Sequence, residues 1–326
     1  MIIAKTPLRI SLFGGGTDLP VYSNSYGGKV LSFTINKYVY IMFNKKFDNG
    51  FRISYSKTET VHNLKDIKHP IVRAALMKYN LEDGIEIVSL ADVPGQGSGL
   101  GSSSSFTVGL VNSIRTYLGL ESRKHELAQE ACDIEINMLG GSAGRQDQFA
   151  VAYGGMNSIA FNSDETVNVK KINVTEKNIQ KLKNSIMLFY TNKTRAADKI
   201  LSEQSYNTSN SLYIKDNLHQ IKTICDESLI YLEKAKIEKL GALLDLSWNL
   251  KKTLSSKVSS DEIDHNYKIA LKYGALGGKL LGAGGGGFML LLAPPEKHKL
   301  IESKLMHWRK FDFDFDYNGS KIIVSK

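Results

Sequence analysis

Residues 94–106 read PGQGSGLGSSSSF, and the reading of this stretch decides the fold. By composition it is a flexible linker, but a Gly/Ser linker joins independent units. Here the preceding residues Ile85–Ser89 (IEIVS) alternate as a strand. The following Phe106, Leu110, Ile114 and Tyr117 recur at helical spacing. A strand, a glycine-rich turn and an amphipathic helix together make an anion cradle. Glycine admits positive φ and close backbone approach, and the first amides of the helix are unpaired at its positive dipole end. The stretch lacks the GK[ST] ending of a Walker A loop. It also lacks the acidic residue that follows in dinucleotide-binding folds, so neither of those classes is indicated. Serine hydroxyls in place of the Walker lysine suit a metal ion or phosphate oxygens.

Outward from the loop, three further clusters carry polar chemistry. RISLFGGGTD (Arg9–Asp18) sets three glycines between an arginine and an aspartate at a strand end. GGSAGRQDQF (Gly140–Phe149) puts Asp147 in a glycine-flanked turn, after a helix that carries Glu135. KLLGAGGGGF (Lys279–Phe288) leads through glycines into an apolar strand. Each has a bland reading taken alone: a tight hairpin, a structural turn aspartate, and a crowded corner between packed elements.

The rest of the chain reads as α+β. Short β-rich runs (IIAK, RISLF, KVLSFT, YVYIMF, FRISY) fill residues 1–55 as an antiparallel or mixed sheet. A helix is expected over Ile71–Lys78. A second helix is expected with Leu127, Ala131, Ile134 and Met138 on one face, then strands at Asn157–Phe161 and Val167–Lys171. The charged segment Asn173–Asn184 is the candidate domain boundary. Beyond it come a strand at Ile186–Tyr190, a long helix marked by Ile214, Leu218, Ile221, Cys225 and Leu232, and shorter helices near Leu240–Leu254 and Glu262–Tyr273. The chain is expected to close with a helix and a hairpin turning at Asn318–Gly319.

Length and composition set outer bounds. The 326 residues suit two domains, and 42% hydrophobic with 23% charged residues is ordinary for a globular protein. No apolar stretch approaches the roughly 20 residues that span a bilayer. The start, MIIAKTPLRISLF, is too interrupted by Lys5 and Arg9 for a secretory signal. Cys132 and Cys225 lie far apart on apolar helix faces, as buried thiols of a reducing compartment, so a cytoplasmic location is expected. The formal charge of +9 fits acidic small molecules as well as nucleic acid. The densest cluster (Lys170, Lys171, Lys177, Lys181, Lys183) has no interleaved aromatics, so no nucleic-acid and no membrane partner is expected.

Taken in order, the clusters resemble the three motifs of the GHMP kinases, over nearly the whole chain. PGQGSGLGSSSS matches the family's P-x-x-x-G-L-G-S-S pattern, and KLLGAGGGGF matches its third motif. TPLRISLFGGGTDLP matches the sugar-kinase form of the first motif. With GRQDQFA it looks most like the bacterial D-glycero-D-manno-heptose 7-phosphate kinases, with L-fucokinase-like domains as near relatives.

The resemblance implies a two-domain α+β fold with the active site in the cleft. Its parts would be an N-terminal mixed α/β domain (1–175) holding the Gly/Ser phosphate loop and a C-terminal ferredoxin-like α+β domain (176–326). It implies ATP and Mg2+ as cofactors, a phosphosugar acceptor phosphorylated at C1, and a monomer or homodimer. Pro94, Gly97, Gly99, Leu100, Gly101, Ser102, Ser103 and Ser104 would hold ATP, with Ser103 and Glu135 as metal ligands. Asp147 and Arg9 match the catalytic positions. Gly15, Gly16, Thr17 and Asp18 would bind the sugar, and the third-motif glycines from Gly282 to Gly285, with Gly284 and Gly285 toward the substrate, would pack against the phosphate loop and shape the site. Lys193 and Arg195 are candidates for the acceptor's phosphate, arginine being suited to a bidentate clamp. The alternatives are a kinase of an unphosphorylated sugar such as L-fucose and a non-catalytic sugar- and ATP-binding regulator.

Overall fold

A computed structural model of the chain describes residues 1–93, 97–193 and 197–325. Its thirteen strands in those residues fall into two sheets. The first combines β1 (Ile2–Phe13), β2 (Gly28–Lys45), β3 (Phe51–Ser54), β4 (Thr58–Val61), β5 (Ile85–Ala91), β6 (Met156–Phe161) and β7 (Val167–Lys171). The second combines β8 (Ile186–Tyr190), β9 (Gly277–Leu280), β10 (Phe288–Leu292) and β11 (Arg309–Lys310). The last two strands, β12 (Phe315–Asp316) and β13 (Lys321–Ser325), return to the first sheet.

The short N-terminal runs expected from the sequence are two long strands. IIAK and RISLF merge into β1 of 12 residues, and KVLSFT and YVYIMF merge into β2 of 18. Pro7 cannot donate to a ladder, and it sits where the β1–β2 register shifts, between Pro7 and Leu8. An irregularity there lets one strand run through the proline. The length of β2 then serves three partners: β6 along Gly28–Phe33, β12 at Thr34–Ile35 and β5 along Val39–Lys45.

The expected terminal hairpin does not form. β12 pairs with β2 and β13 pairs with β1, both antiparallel, so Asn318–Gly319 turns between two strands that do not pair with each other. The reason lies in burial: Phe315 packs edge-on against Phe33 with ring centroids 5.0 Å apart, and Ser320 shares hydrogen bonds with Thr6 and Asn112 inside the first sheet's core.

The segment expected to be a boundary contains a helix, Glu176–Ser185, whose first turn is capped by the Thr175 hydroxyl accepting from Asn178 N at 3.4 Å. The other helices expected from periodicity are present as Pro70–Lys78, Ser102–Tyr117, Leu212–Glu233, Ile237–Thr253 and Asp261–Lys272. One apolar core runs through both sheets, from Leu8, Ile10 and Phe43 to Leu188, Leu290 and Leu292. Both cysteines are buried free thiols. No helix in the described residues is long and apolar enough to cross a membrane.

Met138 does not share the face of Leu127, Ala131 and Ile134: those three are buried, whereas Met138 is exposed. The helix Lys124–Cys132 passes into a π-helical turn, Asp133–Met138, with Leu139 N donating to Ile134 O five residues back. The wider turn rotates the residues beyond it relative to α-helical spacing, a device frequent at functional sites. Here it swings Met138 outward and sets Glu135 against the helix that follows the phosphate loop.

Candidate active site

The phosphate loop is held between the first strand and the third glycine motif. Arg9 N donates to Leu100 O at 2.9 Å, and Arg9 Nη1 donates to Gly99 O at 2.5 Å. On the other side the backbones of Gly99 and Gly282 pass so closely that neither tolerates a side chain. A Cβ on Gly282 would lie 2.6 Å from Gly99 Cα, and one on Gly99 would lie 2.5 Å from Leu281 O. The helix Ser102–Tyr117 starts from Gly101 in the left-handed region, and no side chain among the described residues caps its first amides. Those amides keep the donor capacity that suits an anion. Ser105 Oγ ties the helix to β1 by donating to Pro7 O at 2.8 Å.

Ser103 and Glu135, distant in sequence, meet directly. Glu135 Oε1 accepts from Ser103 Oγ and Thr107 Oγ1, both at 2.9 Å, and Oε2 accepts from Ser104 Oγ at 2.9 Å and from Gln148 Nε2. Burial pushes the Glu135 carboxyl above its ordinary range, although the donors around it oppose that shift. A carboxylate beside hydroxyls is a hard oxygen donor set. Mg2+ is commonly held by one or two such side chains together with substrate phosphates.

Below the loop, Arg9 grips Asp147 in a forked ion pair: Nε donates to Oδ1 at 2.7 Å and Nη2 donates to Oδ2. Arg9 is buried within β1, while Asp147 keeps a side chain 22% exposed toward a cleft. The cleft has about 600 Å3 of space, counting its open mouth. Asp147 stands in the first turn of the helix Gln146–Tyr153, and that helix is anchored by Asp18. Asp18 Oδ2 accepts from Gln146 N at 3.3 Å, while Oδ1 accepts from Gln146 Nε2 at 3.1 Å and Gly16 N at 3.0 Å. Asp18 is 1% exposed; burial first, and the charge of Asp147 second, raise its carboxyl above the ordinary range. Gly144 leaves room for it, since a Cβ there would lie 1.9 Å from Asp18 Oδ2. The aspartates of two separate motifs thus form one unit.

The remaining sequence-selected residues divide. Gly15 and Gly16 line the cleft. Thr17 is fully buried beneath it, its hydroxyl donating to Gly14 O at 2.8 Å. Gly284 and Gly285 pack against Val258 and are not among the lining residues; Gly282 and Ala283 take that position. Gly97 lies close to Gly287, whose Cβ would meet Gly97 O at 2.9 Å. Lys193 forms an ion pair with Glu262 and does not line the cleft. Pro94 and Arg195 lie outside the described residues.

Several lining residues escaped the sequence reading: Ser11, Gln146, Gln204, Lys251 and Lys279. Lys279 opens the third motif, whose sequence signal is carried by its glycines and not by the lysine. Lys251 has no sequence signal, standing beside Lys252 on an ordinary amphipathic helix.

Comparison with known proteins identifies the family. The model of the GHMP kinase N-terminal domain matches residues 67–155, and that of the C-terminal domain matches residues 228–306. The chain is 32% identical to the D-glycero-alpha-D-manno-heptose 7-phosphate kinase of Campylobacter jejuni, with 98% of each chain covered. A solved structure described as a D-glycero-D-manno-heptose 1-phosphate kinase from Bacteriodes thetaiotaomicron superposes with a TM-score of 0.82 at 24% identity, over all of both chains. A putative sugar kinase from Campylobacter jejuni superposes with a TM-score of 0.78 at 30% identity, over 98% of this chain and 97% of the other. With the three glycine motifs assembled around one cleft, the chain belongs to the GHMP kinases and is an ATP-dependent phosphotransferase.

Proposed function

We propose that the protein transfers the γ-phosphoryl group of ATP to the anomeric C1 hydroxyl of a heptose 7-phosphate, giving the 1,7-bisphosphate. The observation that carries this reading is the Arg9–Asp147 fork at the cleft, one wall of which is tied to the phosphate loop through Arg9 and Gly99. The similarity to a heptose 7-phosphate kinase over almost the full length of both chains supports the choice of acceptor.

In this reading the acceptor hydroxyl sits against Asp147, which takes its proton or holds it in line, while Arg9 fixes the carboxylate and balances its charge. Phosphoryl transfer depends chiefly on positioning and charge stabilisation, so a rigid pair is well suited to it. Asp18 holds the helix that carries Asp147 and borders the space for the sugar hydroxyls. The loop 97–104 and the uncapped helix start receive the phosphates of ATP. Ser103 and Glu135 would hold Mg2+, which would neutralise charge on the nucleotide phosphates. The proposed domain division at 175/176 lies between β7 of the first sheet and β8 of the second, and β12 and β13 return to the first. The protein would act in the cytoplasm as a monomer or homodimer.

The test is ATP turnover against a panel of heptose 7-phosphate, free heptose, L-fucose, galactose and mevalonate. Turnover should be fastest on heptose 7-phosphate and require Mg2+. Absence of turnover on every sugar overturns the reading.

A further inference from the structure

Two lysines stand inside the cleft with no ion-pair partner among the described residues. Lys251 is 6% and Lys279 is 3% exposed. Lys251 Nζ donates to Leu280 O at 3.2 Å and Gly282 O at 2.5 Å, and Lys279 Nζ donates to Leu12 O at 3.3 Å. An ammonium has three protons, so one remains on Lys251 and two on Lys279. Burying a charge is costly unless it is paired, and the nearby carboxylates are already committed. Asp147 is gripped by Arg9, and Asp18 is engaged with Gly16 and Gln146. Three cations and two carboxylates therefore line one cavity.

Other residues lining the same cleft carry unpartnered polar atoms. Gln204 Nε2 and Ser11 Oγ have no hydrogen-bond partner among the described residues, and their residues are 3% and 4% exposed. Such groups are rare in folded proteins without a ligand or water to satisfy them. Lys279 lies on the acceptor side, its Nζ 3.9 Å from the place of a Cβ on Gly15. Neither ammonium is bonded to a hydroxyl of the phosphate loop or to Glu135, where the nucleotide and its metal are placed.

We propose that Lys251 and Lys279 form a paired ammonium site that binds the phosphate ester of the acceptor, and that they select a phosphorylated sugar over an unphosphorylated one. This rests on the sugar-kinase reading above and assigns the acceptor phosphate to residues other than Lys193, which is paired with Glu262. Gln204, which lines the same cleft, adds a neutral donor in Nε2. The electrostatics agree: burial, then repulsion from Lys279 and Arg9, pull Lys251 well below the ordinary lysine range. Burial, then Arg9, bring Lys279 down to about 8. A phosphate dianion would reverse both effects.

The experiment compares wild type, Lys251→Met and Lys279→Met with heptose 7-phosphate and free heptose as acceptors. Loss of charge-assisted hydrogen bonds predicts that the kcat/KM preference for the phosphorylated sugar falls about 30-fold or more, mainly in KM. Lys→Arg at either position should recover part of that preference. An unchanged preference, or an equal fall in kcat on both acceptors, overturns the assignment. Calorimetry with inorganic phosphate gives a readout independent of turnover. Weaker phosphate binding in both variants supports the site even if wild type fails to use heptose 7-phosphate, a failure that would sink the proposed acceptor alone. Equal phosphate binding in folded variants and wild type overturns the site itself.

Discussion

Gly282 and Gly99 meet backbone to backbone, so that a single methyl group on Gly282 would come within 2.6 Å of Gly99 Cα. Both hold positive φ, +68° and +77°, which an L side chain adopts only under strain. The third motif thus sets the position of the phosphate loop by sheer proximity. Gly282→Ala should cost about 3 kcal/mol from backbone strain and overpacking together. Much of that should appear as displacement of the loop, lowering kcat/KM for ATP by about 100-fold. Nucleotide titration of the purified variant checks this, and wild-type affinity for ATP would show that the loop is positioned by other contacts.

The Arg9–Asp147 fork predicts a loss in the chemical step. Asp147→Asn keeps the shape but removes the charge, and kcat should fall by roughly 10²–10⁴-fold with little change in either KM. Arg9→Met should lower kcat as well, and it also removes the bond to Gly99 O. Because the two side chains act as one unit, the double variant should be little worse than the poorer single variant. Fully multiplicative losses in steady-state kinetics would mean that the two act independently.

Ser103 and Glu135 predict a coupled dependence on metal. Glu135→Gln should raise the Mg2+ concentration needed for half-maximal rate by about tenfold, in line with the loss of a ligand or its close support. Ser103→Ala should act in the same direction, and the two effects should not add. Since burial raises the Glu135 carboxyl, it becomes protonated at a higher pH than an ordinary glutamate. The Mg2+ requirement of wild type should therefore begin to climb on acidification while exposed carboxylates are still ionised. A Mg2+ requirement independent of pH in Mg2+ titrations would remove Glu135 from the metal site.

The motifs were legible because glycine, proline and charge leave strong local signals. The strand, loop and helix around 85–117 could be read from spacing alone, and so could the apolar β10 after its glycines. What stayed hidden depends on long-range packing. Nothing near Phe315 or Lys321 says that these residues complete a sheet begun at Ile2, because strand pairing over such a separation is set by the buried faces. The π-helical turn that aims Glu135 looks helical in sequence, so α-helical spacing puts Met138 on the buried face that the wider turn takes it away from. Asp18 could be picked out as a polar residue in a glycine loop, but not as the anchor of the helix bearing Asp147. Lys251 was invisible for a different reason: a buried lysine and a solvated one look identical until the fold closes around them.

That burial also sets how stability varies with pH. Lys279 titrates at about 8 in the folded chain and near the ordinary lysine value of 10.5 when unfolded. Between these values the unfolded chain binds the extra proton, so stability of the ligand-free protein rises with pH across this window. Below about pH 8 both states are protonated and the cost of the buried charge is fully present. The charged groups that act on Lys279 in this window are Arg9, which opposes its charge, and Asp18, which favours it; the Cys225 thiol, pushed up to about 12, stays neutral. Lys251, itself repelled by Lys279, contributes in the same direction. Lys279→Met should therefore melt a few degrees above wild type at pH 7, a shift worth on the order of 1–2 kcal/mol for a chain of this size. The difference should shrink as pH rises from 8 toward 10.5. Denaturation of both proteins over pH 7–10.5 measures it. A constant difference, or a variant less stable at pH 7, would mean that Lys279 is not held as a strained cation.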